Sequence, residues 1–309
     1  MPNASSFFSF IMYADDTTLF TSLKFTCPTH SNIKLVQDKI NDELQKIHDW
    51  LCVNMLALNI NKTKYMIFHY HQQRVPANFI ELRIENTVIN REDQFNFLGV
   101  IIDECLTWKP HIDKISCKIA KSCGVINSLK RFLPTHILKS LYYSMIHSHL
   151  QYGILLWGFN STRIYKLQKR AIRTITASKY NAHTEPLFKS LGILKLNDIF
   201  KLSALKFLYK LCNGNLPMYF SSWSIRSQGE IHSHFTRFRG SIATPVTRTK
   251  QASKCIRNFI PTVANEFPNQ VLDKIYTHSI QGFSFYCKTY ILNTYSIHCS
   301  VSNCYVCNT

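Results

Sequence analysis

The chain has 309 residues, of which 36 are Lys or Arg and 18 are Asp or Glu, so its formal net charge is +18. An apolar fraction of 46% excludes intrinsic disorder as the main state, and no apolar run reaches the roughly 18 residues that a membrane span needs. The 11 cysteines form no recognisable disulfide framework and no signal-peptide pattern follows Met1, which predicts a soluble, intracellular protein of the nucleus or cytoplasm.

The first third of the chain has a strand–helix–strand pattern. Residues 7–12 and 17–22 are predicted to form two strands, joined by a tight turn that carries Asp15 and Asp16. Residues 31–51 are predicted to form a helix, because their apolar side chains recur at steps of three and four. Strand patterns follow over residues 55–68 (with a polar turn), 79–89 (a hairpin) and 95–102.

Beyond Trp108 the apolar period becomes helical. Residues 217–249 are rich in Ser, Arg and His and predict a long loop or linker, whereas 255–295 is weakly helical. The fold class predicted for the whole chain is therefore α+β. The predicted helices of this part cover residues 111–132, 135–150, 161–177 and 196–212.

The charge is distributed unevenly along the chain. Residues 1–113 contain 13 acids and 10 Lys or Arg, whereas residues 114–309 contain 5 acids and 26 Lys or Arg. Residues 114–184 hold 12 Lys or Arg and no acid. A solvated surface normally mixes both signs, because opposite charges stabilise helices and like charges repel. The pattern therefore favours a polyanionic partner, above all nucleic acid, over a plain solvated surface or an anionic membrane.

Asp15 and Asp16 are the strongest candidates for chemistry. Two adjacent carboxylates raise each other's pKa, and a divalent metal relieves that repulsion. Mg²⁺ prefers hard oxygen ligands, often carboxylates together with substrate phosphates, and two such ions promote phosphoryl or nucleotidyl transfer. The alternative is an ordinary solvated turn, which an acid pair alone cannot exclude.

Residues 10–20 read FIMYADDTTLF, and this segment resembles the catalytic hairpin of reverse transcriptases of non-LTR (LINE, jockey-like) retrotransposons. Several ordered motifs are far more specific than one, and they resemble the C-terminal part of such an enzyme. The further motifs, in the family's order, are residues 58–68 (LNINKTKYMIF) for the next palm motif, 95–103 (FNFLGVIID), 106–108 (LTW) and 111–112 (HI) for the palm-to-thumb segment, and 152–158 (YGILLWG) and 167–173 (LQKRAIR) for the helical region beyond.

The resemblance implies roles for individual residues. Asp15 and Asp16 would ligate the two Mg²⁺ ions that bind the incoming deoxynucleotide and the primer 3′ end. Tyr13 would lie beside the RNA template and DNA primer, or else is a packed strand aromatic. Lys62 would lie near the departing pyrophosphate, where a cation stabilises charge or donates a proton, or else is an ordinary turn lysine.

Two further sets of residues would contact nucleic acid. Leu98 and Gly99 would lie where the family grips the primer backbone, and the alternative for Gly99 is a simple strand bend. The basic helices would hold the primer–template duplex by its phosphates. The candidate phosphate ligands are Lys114, Lys118, Lys121, Lys130, Arg131, Lys166, Lys169, Arg170 and Arg173.

The resemblance also predicts a domain order. It implies a partial polymerase palm (antiparallel sheet plus helix) over residues 1–108 and thumb-like helices over 109–158. A basic helical region over 159–216 and a linker with a poorly defined C-terminal region over 217–309 would follow. Only 12 residues precede Tyr13, too few for the fingers, the strand with a third metal-binding Asp and the sugar-checking segment.

A fragment with an incomplete two-metal site is therefore expected, inactive as an isolated chain. The alternatives are a non-catalytic nucleic-acid-binding remnant of a mobile element and a relic without function. At the C-terminus, incidental cysteines are favoured over a zinc knuckle, because their spacing fits no structural zinc pattern. The residues concerned are Cys287, His298, Cys299, Cys304 and Cys307.

Overall fold

The fold is described by a computed structural model. It separates into two compact units, Met1–Thr107 (unit 1) and Trp108–Thr309 (unit 2). Unit 1 mixes short strands with one long helix and unit 2 is helical, so the predicted α+β class is confirmed. The structure describes residues 4–22, 30–70, 72–73, 75–76, 79–223, 225–231 and 241–297.

The strands of unit 1 form small two-stranded ladders where one antiparallel palm sheet was predicted. Within the described residues, three ladders are antiparallel hairpins (β1–β2, β4–β5, β7–β8) and the fourth, β3–β6, is parallel. The elements are β1 Ser9–Tyr13, β2 Asp16–Phe20, α1 His30–Val53, a 3₁₀ turn Ile60–Lys62, β3 Lys64–Tyr65, β4 Arg83–Ile84, β5 Thr87–Val88, β6 Asn90–Arg91, β7 Gln94–Phe97 and β8 Val100–Asp103.

Helix α1 organises unit 1, as its apolar stripe predicts. Ile40 and Leu44 are buried in a cluster with Leu82 and Ile84 of the following hairpin region. Side-chain amides one helical turn apart on α1 accept hydrogen bonds from alternate backbone N–H groups of residues 81–85, which fixes the register of this segment on the helix. The three pairs are Glu81 N to Gln37 Oε1 (3.0 Å), Arg83 N to Asn41 Oδ1 (3.0 Å) and Glu85 N to Gln45 Oε1 (3.1 Å).

The segment predicted as one strand over residues 95–102 is instead a hairpin, so that prediction is wrong. Phe97 pairs with Val100, and the two residues between them, Leu98 and Gly99, have φ of 47° and 85°. Positive φ at both central residues is the signature of a type I′ turn, which matches the twist of hairpin strands. Leucine is an unusual residue at the first position of this turn, so the sequence lacks the Asn-Gly or Asp-Gly pair that usually predicts it.

Unit 2 is built from helices that share one core. The predicted helix over 135–150 is observed as α3, a π-helical turn and α4 in direct succession. The elements are α2 Lys109–Leu129, α3 Thr135–Tyr142, the π-helical turn Tyr143–His147, α4 Ser148–Gln151, α5 Ile154–Trp157, a 3₁₀ turn Gly158–Asn160, α6 Thr162–Ile175, α7 Glu185–Leu191, α8 Leu196–Cys212, a 3₁₀ turn Met218–Phe220, α9 Gln228–Ile231, α10 Lys250–Ser253, α11 Ile256–Ala264, α12 Asn269–Leu272, α13 Lys274–Thr277 and α14 Ile280–Thr294.

A buried glutamine links several helices in the core of unit 2. Gln168 Nε2 donates to the Tyr142 hydroxyl at 2.8 Å and to the Leu194 carbonyl at 2.9 Å, and its Oε1 accepts from Leu196 N at 2.9 Å. These bonds pair both N–H groups and the carbonyl oxygen of the amide, and they tie α3, α6 and the start of α8 together. Helix α14, which the sequence pattern only weakly predicts, packs on α8 and buries Phe283 in the same core.

None of the helices in the described ranges combines the length and the apolar character that crossing a bilayer requires.

Candidate functional site

The acid pair lies at the tip of the β1–β2 hairpin, where the sequence predicts it. Tyr13 pairs with Asp16, so Ala14 and Asp15 form a two-residue turn, and Ala14 has φ of 52°. Asp15 and Asp16 are both exposed, and Tyr13 is 62% exposed. Because Tyr13 and Asp16 are directly opposite each other in the antiparallel pair, their side chains lie on the same face of the hairpin. The tip therefore presents two carboxylates and an aromatic ring to solvent.

The base of this hairpin is attached to α1. The Ser5 hydroxyl donates to Glu43, and Phe7 N donates back to Ser5 Oγ at 3.1 Å. Lys39 Nζ lies 4.9 Å from the centre of the Phe7 ring. Hydrogen bonds from Lys46 and Ser5 lower the pKa of Glu43, which keeps this carboxylate charged. The exposed tip is thus carried on a hairpin whose start is fixed to the helix.

The donor set at the tip suits a hard divalent cation. Two adjacent carboxylates offer the oxygen ligands that Mg²⁺ takes when phosphates supply others. Among the described residues, no third His, Cys, Asp or Glu lies close enough to Asp15 and Asp16 to complete a three-ligand group. The pair therefore fits one part of a metal site.

Lys62 ends a 3₁₀ turn and has its side chain in solvent. The Asn59 side chain caps this turn by accepting a hydrogen bond from Lys62 N at 3.2 Å, and the Thr63 hydroxyl donates to the Asn59 carbonyl at 3.0 Å. The polar turn predicted inside residues 55–68 is therefore present, and strand β3 follows it directly. The lysine is held by its backbone and is accessible to a ligand.

Leu98 and Gly99 form the tip of the β7–β8 hairpin. Both are exposed, and Leu98 occupies a conformation that costs a non-glycine residue about 1 kcal/mol. The two predicted contact residues thus form a protruding turn, whereas a bend within a strand was the alternative. The neighbouring Phe95 is 45% exposed and adds apolar surface to the same hairpin.

Seven of the nine candidate phosphate ligands lie on two helices that pack against each other, α2 and α6, and the other two, Lys130 and Arg131, follow the end of α2. Cys123 Sγ of α2 lies 3.7 Å from the Leu167 carbonyl of α6, and Asp113 forms an ion pair with Arg163. On each helix three cations recur at i, i+4 and i+7, so they share a face. These are Lys114, Lys118 and Lys121 on α2, and Lys166, Arg170 and Arg173 on α6.

The predicted phosphate ligands differ in their availability. Lys169 Nζ lies 4.4 Å above the Tyr165 ring, and Arg173 Nε donates to the Ala182 carbonyl at 2.8 Å. Burial lowers the pKa of both groups. Lys114 is half-buried. The exposed members of the set are Lys118, Lys121, Lys130, Arg131, Lys166 and Arg170.

The few acids of unit 2 are mostly engaged with other groups. Glu185 pairs with Lys195 at 2.9 Å, and Glu266 pairs with Lys201 at 2.6 Å. Burial, with a smaller contribution from Lys114 and Lys118, lowers the pKa of His111 to about 4. The histidine beside these lysines is therefore neutral at pH 7, and the lysines carry the charge of this face.

The structure also brings together a cluster that the sequence analysis did not single out. His69, Glu104 and Cys105 each offer one ligand atom within 4.8 Å of the other two. His69 and Cys105 are 36 positions apart, so no local spacing marks them as a group. Of the C-terminal candidates, Cys287 is buried in the core of unit 2, whereas His298, Cys299, Cys304 and Cys307 lie outside the described residues.

Comparison with known proteins shows a distant similarity to one group of enzymes. The chain is similar to RNA-directed DNA polymerases of Drosophila mobile elements, the class that the motifs resemble, so the predicted resemblance is confirmed. It is 22% identical over 207 residues to the polymerase from mobile element jockey of Drosophila melanogaster, covering 64% of this chain and 21% of that protein. Over 169 residues it is 21% identical to the probable polymerase from transposon X-element, covering 52% of this chain and 18% of that protein.

A third relative is the probable RNA-directed DNA polymerase from transposon BS, 25% identical over 119 residues, or 36% of this chain and 13% of that protein. The matched part thus spans at most about a fifth of the length of these curated relatives, 21% for jockey. No family model matches the chain, and no solved structure gives a significant match. The chain is therefore distantly similar to part of the polymerases of these mobile elements.

Proposed function

We propose that this chain forms part of an RNA-directed DNA polymerase of a non-LTR retrotransposon. In this proposal, residues 1–108 contribute the C-terminal part of the palm and residues 109–158 the first helices of the thumb. The observation that carries the proposal is the exposed acid pair on a hairpin tip, in a chain whose relatives are named as RNA-directed DNA polymerases. The basic helical region, residues 159–216, continues the surface that binds the template and primer.

The candidate residues of unit 1 have separate roles at the primer end. Asp15 and Asp16 would hold Mg²⁺, which when bound would supply activation of the attacking hydroxyl and stabilisation of the leaving oxygen. Tyr13, on the same face as Asp16, packs against the primer–template. Leu98 and Gly99 contact the primer backbone through their protruding turn. Lys62 places a cation where the departing pyrophosphate develops charge.

The helices of unit 2 bind the duplex through its phosphates. Lysine and arginine side chains that neutralise phosphates release counterions, so affinity falls as salt rises and depends little on sequence. Lys118 and Lys121 on α2, with Lys166 and Arg170 on α6, are exposed and are not neutralised by neighbouring acids in the described ion pairs. These four side chains are the ones that we expect to contact the phosphates.

On its own, the 309-residue chain is proposed to bind duplex without extending a primer. A complete two-metal site needs a further carboxylate beside Asp15 and Asp16, and the described residues supply none. This observation also supports the second candidate function, a non-catalytic nucleic-acid-binding remnant of a mobile element. The two functions differ in whether the hairpin binds metal.

The test measures metal and duplex binding separately on the full chain. Mn²⁺ binding is followed by electron paramagnetic resonance in the presence of an RNA template–DNA primer duplex and a deoxynucleotide, and duplex binding by fluorescence anisotropy. The Asp15→Ala/Asp16→Ala variant is expected to lose Mn²⁺ binding at this site and to keep duplex binding. The matched control is Asp38→Ala/Asp42→Ala, which removes two exposed acids from α1.

Equal Mn²⁺ binding by the wild type and the hairpin variant would contradict the polymerase proposal and leave only the binding function. Loss of duplex binding in the hairpin variant alone would contradict the division of roles between hairpin and basic helices.

A further inference from the structure

We propose that His69, Glu104 and Cys105 form a zinc site in unit 1, separate from the acid-pair hairpin. Backbone hydrogen bonds bring the three side chains together. The His69 backbone N–H donates to the Glu104 carbonyl at 3.1 Å, which fixes the chain after β3 beside the end of β8. The turn that follows, with Leu106 N bonded to the Asp103 carbonyl at 2.9 Å, places Cys105 next to the imidazole.

The distances suit one small cation. His69 Nε2 lies 3.3 Å from Glu104 Oε1, and Cys105 Sγ lies 3.9 Å from His69 Nδ1. A tetrahedral zinc ion with bonds of about 2.0–2.1 Å to nitrogen and oxygen places those two ligand atoms about 3.3 Å apart. Because the 3.9 Å distance is to Nδ1, the thiol has to turn toward the Nε2 side of the ring to complete the set, and the three ligand atoms already lie within 4.8 Å of one another.

The hydrogen bonds around the cluster also match a metal site. His69 Nδ1 lies 3.0 Å from the Tyr70 carbonyl oxygen, which only accepts, so Nδ1 carries a proton in this bond. Nε2 is then the ring nitrogen that faces Glu104 Oε1. The bond at Nδ1 is the kind of contact that orients a metal-binding histidine through its other nitrogen.

Arg91 forms an ion pair with Glu104 on the side of the carboxylate that faces away from His69. Its Nη2 lies 3.1 Å from Glu104 Oε2, the carboxylate oxygen that does not face His69. This ion pair orients the carboxylate and leaves Oε1 for the metal. The ligands are partly buried, with 10% of the His69 side chain and 26% of the Glu104 side chain exposed, so a bound ion is shielded but can be reached.

The mixture of donors selects the metal. One thiolate, one imidazole and one carboxylate suit borderline-soft Zn²⁺, whereas Mg²⁺ and Ca²⁺ prefer oxygen alone. With three protein ligands, the fourth position holds water. Zinc here would add a second link between the segment that follows β3 and the end of the β7–β8 hairpin, beside the backbone hydrogen bond from His69 N to the Glu104 carbonyl.

A second trio of the same residue types provides a matched control. His48 Nδ1 lies 3.6 Å from Glu85 Oε1, and Cys52 Sγ lies 3.7 Å from His48 Nε2. These three ligand atoms do not all come within 4.8 Å of one another, and the Glu85 side chain is 56% exposed. Cys52 Sγ also lies 3.9 Å from His48 Nδ1, so this trio differs from the His69 cluster in the wider separation of its ligand atoms and in the exposure of its carboxylate.

The experiment compares the two trios in the full chain. Chelator-stripped protein is titrated with Co²⁺ and then with Zn²⁺ in competition. Cys105→Ser is expected to lose one metal equivalent and its thiolate-to-cobalt absorption, with zinc affinity at this site reduced more than about 100-fold. Cys52→Ser is expected to bind as the wild type does. Equal binding by wild type and Cys105→Ser, or an equal loss in both variants, would overturn the proposal.

A measurement on the wild type removes any dependence on how the variants fold. Zinc is expected to slow alkylation of Cys105 by iodoacetamide at least tenfold, because a metal-bound thiolate is protected, and to leave the rate at Cys52 unchanged. The modified residues are read by peptide mass spectrometry. The same rate at Cys105 with and without zinc would show that a proton, and not a metal, lies between His69 and Glu104.

Discussion

Replacing Lys118 and Lys121 by glutamine tests whether the basic face of α2 binds phosphates. Both side chains are exposed, and the neighbouring Ile119 is fully buried, so the substitutions change the charge without changing the core. Each phosphate that a protein neutralises contributes about 0.9 to the slope of log K against log salt. Loss of two contacts should reduce this slope by about 1.8 and weaken binding on the order of 60-fold at 0.1 M salt.

The assay is fluorescence anisotropy of a labelled RNA template–DNA primer duplex across a salt series. A matched control, Arg248→Gln/Lys250→Gln, removes the same charge from exposed positions outside residues 109–216. This control should change the slope little, because those two residues are not placed at the proposed surface. If the two double variants weaken binding equally, net charge alone accounts for affinity and the assignment of α2 is refuted.

Three further predictions concern stability. Leu98→Asn should stabilise unit 1 by about 0.5–1 kcal/mol in urea unfolding, because asparagine tolerates the positive φ of the β7–β8 turn better than leucine; a loss of stability would contradict the type I′ assignment. Gly158→Ala should cost about 1–3 kcal/mol, because the added Cβ would lie 2.7 Å from Phe200 Cδ2, and an unchanged midpoint would show that this contact is not tight. Burial, aided by Lys288 and Lys206, lowers the pKa of His147 to about 4, so the unfolded chain binds this proton more tightly and stability is lost as pH falls from about 6.5 to 4. His147→Gln should therefore lose on the order of 2–3 kcal/mol less than the wild type between pH 7 and pH 4, and identical pH profiles would refute the buried neutral imidazole.

Local patterns in the sequence predicted the elements whose signals are local. The apolar stripe of α1 follows the helical period, and Ile40 and Leu44 are buried as that period requires. Two β-forming segments around an acidic turn sufficed to place Asp15 and Asp16 at a hairpin tip. The basic faces of α2 and α6 also follow from spacing, because residues at i, i+4 and i+7 share a face of any helix.

Features that depend on tertiary contacts could not be predicted in this way. The β7–β8 turn contains a leucine in a conformation that glycine or asparagine usually adopts, so its apolar sequence resembles one continuous strand. The engagement of Arg173 with the Ala182 carbonyl depends on the path of the chain after α6. The meeting of His69 with Glu104 depends on pairing between segments that are distant in sequence.

The central claim, that the β1–β2 hairpin holds a divalent metal at a primer 3′ end, is tested most directly by iron-mediated cleavage. Fe²⁺ is supplied in place of Mg²⁺, and ascorbate with peroxide generates hydroxyl radicals that cut nucleic acid close to any bound iron. The account predicts that wild-type chain bound to an RNA template–DNA primer duplex cuts within a few nucleotides of the primer 3′ end, and that Asp15→Ala/Asp16→Ala abolishes these cuts. Cuts spread evenly along the duplex, or the same cuts in the variant, would contradict it.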